Sequence, residues 1–303
     1  MDFLRARTWA EALELKAERP EATPIQGGTD VMVEINLDRG RPAALLDLNP
    51  VGELAGWSRE GSRSREGEWI RVGAGVTYAR LIDELGEVLP GLAQASRTVG
   101  SPQIRNRGTL AGNLGAASPA GDGHPPLLAS GAVVEAESVR GVRLIPIAQF
   151  YTGVKRNALA PDELIRAVRV PTAAGPQYFS KVGTRNAMVI AVCSFAIALH
   201  PENRRVGTGI GSAAPTPLRA VAAEAFLAGE LDWTLGGAGG GAGGTALDPR
   251  VAERFAELVV EAAAPIDDVR GRAAYRSHAL AVMARRTLGW AWHDYLRAGR
   301  GAR

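Results

Sequence analysis

Up to about residue 170, apolar positions come mostly in short runs broken by glycine and proline, the texture of strands joined by tight turns. Thr8-Trp9-Ala10-Glu11 fits a capping box, Leu13, Lys16 and Ala17 follow at helical spacing, and Pro20 closes that helix. TPIQGGTDVMVEINLDRG predicts a strand, a glycine turn and a short helix. AALLDLNPV predicts a strand, and WIRVGAGVTYARLIDEL a strand running through a glycine pair into a helix. PPLLASGAVVEAES predicts a short apolar helix or turn and then a strand. VRLIPIAQFY and ELIRAVRVP predict two more strands.

Beyond Pro171 the texture changes, and PTAAGPQ reads as a boundary. Two strand candidates follow, QYFSKVG and MVIAVCSFAIALH, and then RRVGTGIGSAAPTPLRA. Helical spacing predicts helices over Leu218–Ala228, Pro249–Ala263 and Ala273–Leu296. Gly236 to Gly244, GGAGGGAGG, has no apolar surface to bury and reads as a flexible surface linker.

Composition narrows the function classes. The chain has 303 residues, is 46% apolar and carries a formal charge of +3. That is enough for two domains with a real core. Its arginines are scattered, and no basic stripe with interleaved aromatics suggests nucleic acid. The single cysteine, Cys193, excludes an intrachain disulfide and a thiolate-held iron–sulfur cluster on this chain, and it reads as a small core residue. No hydrophobic signal core opens the chain and no run is long enough to span a bilayer. The expectation is a cytoplasmic, soluble protein.

Two glycine-rich stretches carry the candidate chemistry. In PIQGGTDV, Pro24, Ile25, Gln26, Gly27, Gly28, Thr29, Asp30 and Val31 run from a strand end through a turn into a helix. Backbone N–H groups at such a turn can hold a pyrophosphate. The same residues also suit a plain turn in which Thr29 and Asp30 cap the helix. The second stretch, Val99 to Pro126, has almost no amphipathic period and reads as a long loop, which is uncommon inside a domain unless functional. Within it Thr109, Leu110, Ala111, Gly112 and Asn113 offer backbone donors, a hydroxyl and an amide. Two such turns in one domain could grip the two ends of a dinucleotide. GAGVTY (Gly73–Tyr78) and GTGIGS (Gly207–Ser212) miss the dinucleotide-binding spacing and read as tight turns. His124, His200, His278 and His293 stand isolated, and no nucleophile elbow or carboxylate pair is recognisable. A chain built to hold a phosphate-bearing ligand, without a reactive side chain of its own, leaves the chemistry to that ligand.

GGTDV, together with VGSPQIRNRGTLAGNLGAASPAGDGHPPLLASGA, resembles the flavoprotein subunits of molybdenum hydroxylases, the group of xanthine dehydrogenase and carbon monoxide dehydrogenase. APTPLRA and PIDDVRGRAAYRSHALAVMARRTL are similar to the same family's C-terminal domain. The resemblance implies an α+β fold of the vanillyl-alcohol oxidase and p-cresol methylhydroxylase type. An FAD-binding domain would span residues 1–172, with subdomains of about 1–56 and 57–172. A small α/β domain would follow over 173–303, with the glycine-alanine insertion at 236–244. It implies FAD as cofactor, with Pro24–Val31 and Thr109–Asn113 on the pyrophosphate. Asp122 would add a contact from the same loop, and Ile165 would lie against the cofactor. Lys181 would lie near the flavin ring, as would Val99. Read without the resemblance, Lys181 is an ordinary strand lysine with its ammonium in water. Arg105 and Arg107 could supply charge, bind a partner subunit or meet an internal carboxylate. Val189 stands where many relatives carry an acid. The implied partners are a molybdenum-cofactor large subunit and a 2Fe–2S small subunit, with NAD+ or another electron acceptor. A self-sufficient flavin oxidoreductase and a non-catalytic scaffold are the alternatives.

Overall fold

The computed structural model describes residues 1–61, 67–234 and 246–301. Gly236–Gly244, expected to be a linker, lies outside the described residues. In chain order the elements are β1 (Asp2–Arg5), α1 (Trp9–Glu18), β2 (Thr23–Ile25), α2 (Val31–Asn36), β3 (Ala44–Asp47), β4 (Trp57–Glu60), β5 (Trp69–Gly73), α3 (Tyr78–Leu85), α4 (Pro90–Thr98), α5 (Pro102–Arg105), α6 (Leu110–Ala116) and α7 (His124–Ser130). There follow β6 (Val133–Ser138), β7 (Gly141–Pro146), β8 (Tyr151–Gly153), β9 (Arg156–Asn157), β10 (Leu164–Pro171), β11 (Gln177–Val182), β12 (Cys193–His200), β13 (Arg205–Gly211), α8 (Val221–Glu230), α9 (Pro249–Ala262) and α10 (Ala273–Gly301). Two compact units emerge. One holds residues 1–86, 96–118 and 131–172, the other 87–95, 119–130 and 173–303.

The first unit has two main sheets. β1-β3-β2 is parallel, with Asp2 opposite Ala44 and Ile25 opposite Asp47. All four residues of β3 are buried, as a central parallel strand requires. Thr8 caps α1 by accepting from the Glu11 amide at 3.2 Å. The Arg7 amide donates to Glu11 Oε2 at 2.7 Å, one residue beyond the N-cap amide of an ideal capping box. The second sheet, β4-β5-β10-β6-β7, is antiparallel. Leu46, Leu54, Ile70, Leu81, Leu110, Leu114 and Phe150 are among the fully or almost fully buried side chains of this unit. Each is worth roughly 1.5–3 kcal/mol of transfer free energy.

The second unit is built on β11-β12-β13, an antiparallel sheet covered on both faces. Cys193, Phe195, Ile197 and Leu199 of β12 join the core formed with α8, α9 and α10. The alternate residues Ala196 and Ala198 pack with Ala129 of α7. MVIAVCSFAIALH is therefore strand only from Cys193 onward. The GTGIGS stretch is not a tight turn. Gly207, Gly209 and Gly211 line one face of β13, where a Cβ would fall 1.9 Å from Ala129 O, 2.0 Å from Pro125 O and 2.5 Å from Ser194 Oγ. These glycines let the backbone of α7 lie directly on the sheet.

The Val99–Pro126 stretch is not one long loop. It folds as α5 and α6 and enters α7. Ser101 and Thr109 cap α5 and α6, and Pro102 opens α5 at a position suited to proline. Amphipathic period is missing because all seven residues of α7 are buried and α6 buries Leu110, Ala111 and Leu114.

Candidate cofactor site

β2 ends at Ile25, and the chain turns at once through Gln26, Gly27 and Gly28 into α2. Gly28 has φ of +73°, open to glycine at no steric cost. A Cβ on Gly27 would sit 2.0 Å from the Arg107 carbonyl oxygen, so the first turn lies directly against the chain entering the second. A Cβ on Gly108 would fall 3.4 Å from Thr29 Oγ1 and 3.5 Å from the Tyr78 ring. The two predicted stretches, 80 residues apart in sequence, are one structure.

A third turn joins them. The Tyr78 amide donates to Gly108 O at 3.0 Å, and Thr77 bridges Thr109. A Cβ on Gly75 would fall 3.2 Å from Gln26 Nε2. GAGVTY is thus a tight turn, as expected, but one that buttresses both others. The signal for that role was its position, a glycine turn entering a helix, rather than a spacing motif.

Thr109 Oγ1 accepts from the Gly112 amide at 3.0 Å, and the side of Gly112 where a Cβ would project meets nothing within 4 Å except that hydroxyl, at 3.2 Å. Nothing lies within 4 Å of the corresponding point on Gly115. Asn157 Nδ2 donates to Gly115 O at 3.0 Å and ties β9 to α6. Gln26 Oε1 and Asn113 Oδ1 are both buried without a hydrogen-bond partner. Buried amide groups are normally satisfied, so an orphan in each of two abutting turns marks a place prepared for polar ligand atoms. Close backbone, open space beside Gly112 and two unspent amide oxygens, able to accept from ligand hydroxyls, fit a dinucleotide such as FAD.

The remaining expected residues are placed as follows. Asp30 does not cap α2, since its backbone is helical (φ −103°, ψ −54°) and its carboxylate makes no capping bond. Although its surface is open, loss of hydration holds its carboxyl above the ordinary range, the Lys155 ammonium opposing and Glu34 adding. Ile165 is 8% exposed on β10, the strand on which α6 packs. Val99 precedes α5, and its carbonyl oxygen accepts from Arg105 Nη1 at 3.0 Å, as does that of Gly100. Arg107 Nη2 donates to Asn49 Oδ1 at 2.9 Å. Among the described residues neither arginine forms an ion pair with a carboxylate. Each is held by oxygens of its own unit.

Asp122 and Lys181 belong to the second unit, where they meet each other. Lys181 Nζ lies 2.5 Å from Asp122 Oδ2, with side chains 8% and 6% exposed. Lys181 is therefore not a solvated strand lysine. Burying both charges is costly, and pairing offsets that cost only with this close geometry. Val189 folds against Gly183, its Cγ1 standing 2.3 Å from where a Cβ would be. Among the described residues no His/Cys/Asp/Glu group could hold a metal ion, and no helix is long and apolar enough to cross a membrane.

Known proteins resemble the chain in sequence and fold. The family model of the FAD binding domain in molybdopterin dehydrogenase matches residues 1–173. The xanthine dehydrogenase FAD-binding subunit of Escherichia coli O157:H7 is 30% identical over 297 residues, 94% of each chain. The carbon monoxide dehydrogenase medium chain of Afipia carboxidovorans is 29% identical over 294 residues, 95% of each. A chain of carbon monoxide dehydrogenase from Hydrogenophaga pseudoflava superposes with a TM-score of 0.84 at 27% identity, over 97% of this chain and 98% of that one. With its α+β architecture and its abutting glycine turns, the chain belongs to the FAD-binding subunits of the molybdopterin dehydrogenases, an oxidoreductase subunit whose cofactor is FAD.

Proposed function

We propose that this chain is the electron-transfer subunit of a molybdenum hydroxylase complex. It would take electrons from a 2Fe–2S small subunit and pass them to NAD+ or another acceptor, while a molybdenum-cofactor large subunit oxidises the organic substrate. The observation that carries the reading is the pair of abutting turns, each holding an unspent buried amide oxygen, Gln26 Oε1 in one and Asn113 Oδ1 in the other. Bound FAD supplies the two-electron carrier chemistry.

The chain's own residues would bind and orient it. Backbone groups of Gln26–Val31 and Thr109–Asn113 would hold the pyrophosphate, with Gly112 leaving room for close approach. Ile165 and Val99 would exclude water. Lys181, paired with Asp122, would bias the electrostatics of the flavin ring. Residues 1–172 would form the cofactor-binding domain and 173–303 a second domain. A single buried cysteine, its thiol pushed up to about 12 by burial against the opposing pull of Arg276, cannot build a cluster. Electrons relayed through a cluster would then arrive from another chain.

The test is the visible spectrum of the FAD-loaded chain before and after anaerobic NADH. Bleaching of the flavin bands supports NAD+ as acceptor on this subunit. An unchanged spectrum rejects NAD+ and moves the acceptor to a quinone, oxygen or a partner protein. Turnover of an organic substrate by the chain alone would favour the self-sufficient oxidoreductase instead.

A further inference from the structure

The structure points to Arg276 as a positioning residue for the Asp122–Lys181 pair, acting through Ser212 and Pro119. All of these residues lie in the second unit. Arg276 stands in the first turn of α10 and is 3% exposed. Its Nη1 donates to the Ser212 carbonyl oxygen at 2.5 Å, and its Nη2 to Asp268 Oδ1 at 2.5 Å. The Ser212 amide in turn donates to Pro119 O at 2.9 Å. Three residues after Pro119 comes Asp122, bound to Lys181.

Ser212 has φ of +58°, a left-handed conformation that side chains other than glycine rarely adopt. Its Oγ is buried without a hydrogen-bond partner, and so is Arg276 Nε. A packing role alone would favour glycine at Ser212 and full use of the guanidinium. Strain and unspent polar atoms together mark a segment held in place by its surroundings, and such segments cluster at functional sites. What is held is the backbone entering α7. That entry is pinned at two points, by the Ser212 amide on Pro119 and by Gly209 and Gly211 packed against Pro125.

Asp268 anchors the other end. Its Oδ1 also accepts from the Arg270 amide at 2.7 Å, and its Oδ2 takes Arg270 Nη1 at 3.0 Å. A forked cation is needed to span a carbonyl on one side and a carboxylate on the other, which a lysine ammonium cannot do in this geometry. The Arg276 fork thus ties a surface turn to a strained turn, and the strained turn to the segment carrying Asp122.

The experiment is amide hydrogen exchange on the full chain, comparing wild type with Arg276→Met, Arg276→Lys, Asp268→Asn and Ser212→Gly. Arg276→Met and Arg276→Lys should each lower protection at the amides of Ser212 and residues 120–124 by at least tenfold, with β12 and α9 unchanged. Asp268→Asn should act in the same direction with a smaller loss. Ser212→Gly keeps both backbone bonds and suits the positive φ, so its protection should match wild type. Unchanged protection in Arg276→Met, or a loss spread evenly over the unit, overturns the proposal. If Arg276→Met does not fold, Asp268→Asn decides by the same criterion. A second readout, the flavin reduction potential, rests on the reading of Lys181 as a cofactor contact. There Arg276→Met should shift the potential in the direction set by Lys181→Met. If Lys181→Met shifts nothing, that reading fails, while the exchange result still judges Arg276.

Discussion

At the scale of single residues, the glycines of the two turns have different jobs. Gly27 is a packing glycine, since a Cβ there would collide with the Arg107 carbonyl at 2.0 Å, and backbone cannot step aside. Gly112 faces open space apart from the Thr109 hydroxyl. Gly27→Ala should therefore destabilise the folded chain by about 1–3 kcal/mol even without FAD. Gly112→Val should leave the apo melting temperature within a few degrees of wild type, because valine is no worse than glycine in a helix, and should fail to retain FAD. Melting curves and flavin content of the two purified variants check both. A Gly27→Ala chain as stable as wild type, or a Gly112→Val chain with full flavin, would reverse these assignments. Sequence placed both glycines in the right turns but could not separate their roles. That distinction depends on what lies opposite each one 80 residues away.

At the scale of elements, strands and helices with clear alternation or period were legible, β10, α9 and the start of α10 among them. α5 and α6, in the stretch that reads as one loop, and β13 were not. α7 has no polar face, and its glycine partner strand β13 has the look of a turn motif, because both serve one backbone-to-backbone contact. The same contact region holds His200, whose Nε2 lies 3.1 Å from Ala129 O at the end of α7. Burial lowers its pKa; the Ala129 carbonyl opposes, Arg205 and Arg219 lower it further, and Glu224 raises it. The unfolded chain then takes up a proton near pH 6.5 that the folded chain refuses. Stability should be fully present above that pH, fall as pH drops below it, and level off beneath the folded pKa. Denaturant titrations at pH 7.5 and 5.5 should show a larger loss for wild type than for His200→Gln. Equal losses would mean that the ring is not titrating differently in the two states.

At the scale of the whole molecule, the resemblance of two long motifs predicted family, cofactor and fold class together, and family model, relatives and solved structure agree. Pairings between distant segments were invisible in the sequence. Lys181 and Asp122, 59 residues apart, carry no pattern that foretells a buried ion pair, and Arg276 carries none that ties it to Pro119. Such pairings arise from chain topology, which periodicity does not encode. The central claim remains that Gln26 and Asn113 sit in one cradle with amides reserved for FAD. The most direct test is a fluorescence titration of the apo chain with FAD, comparing wild type with Asn113→Leu, a near-isosteric change that leaves no orphan amide. One FAD should bind per wild-type chain, and binding should be at least tenfold weaker in the variant, with no loss of melting temperature. Equal affinity in the two proteins would contradict it, and would place the cofactor outside the cradle that these turns form.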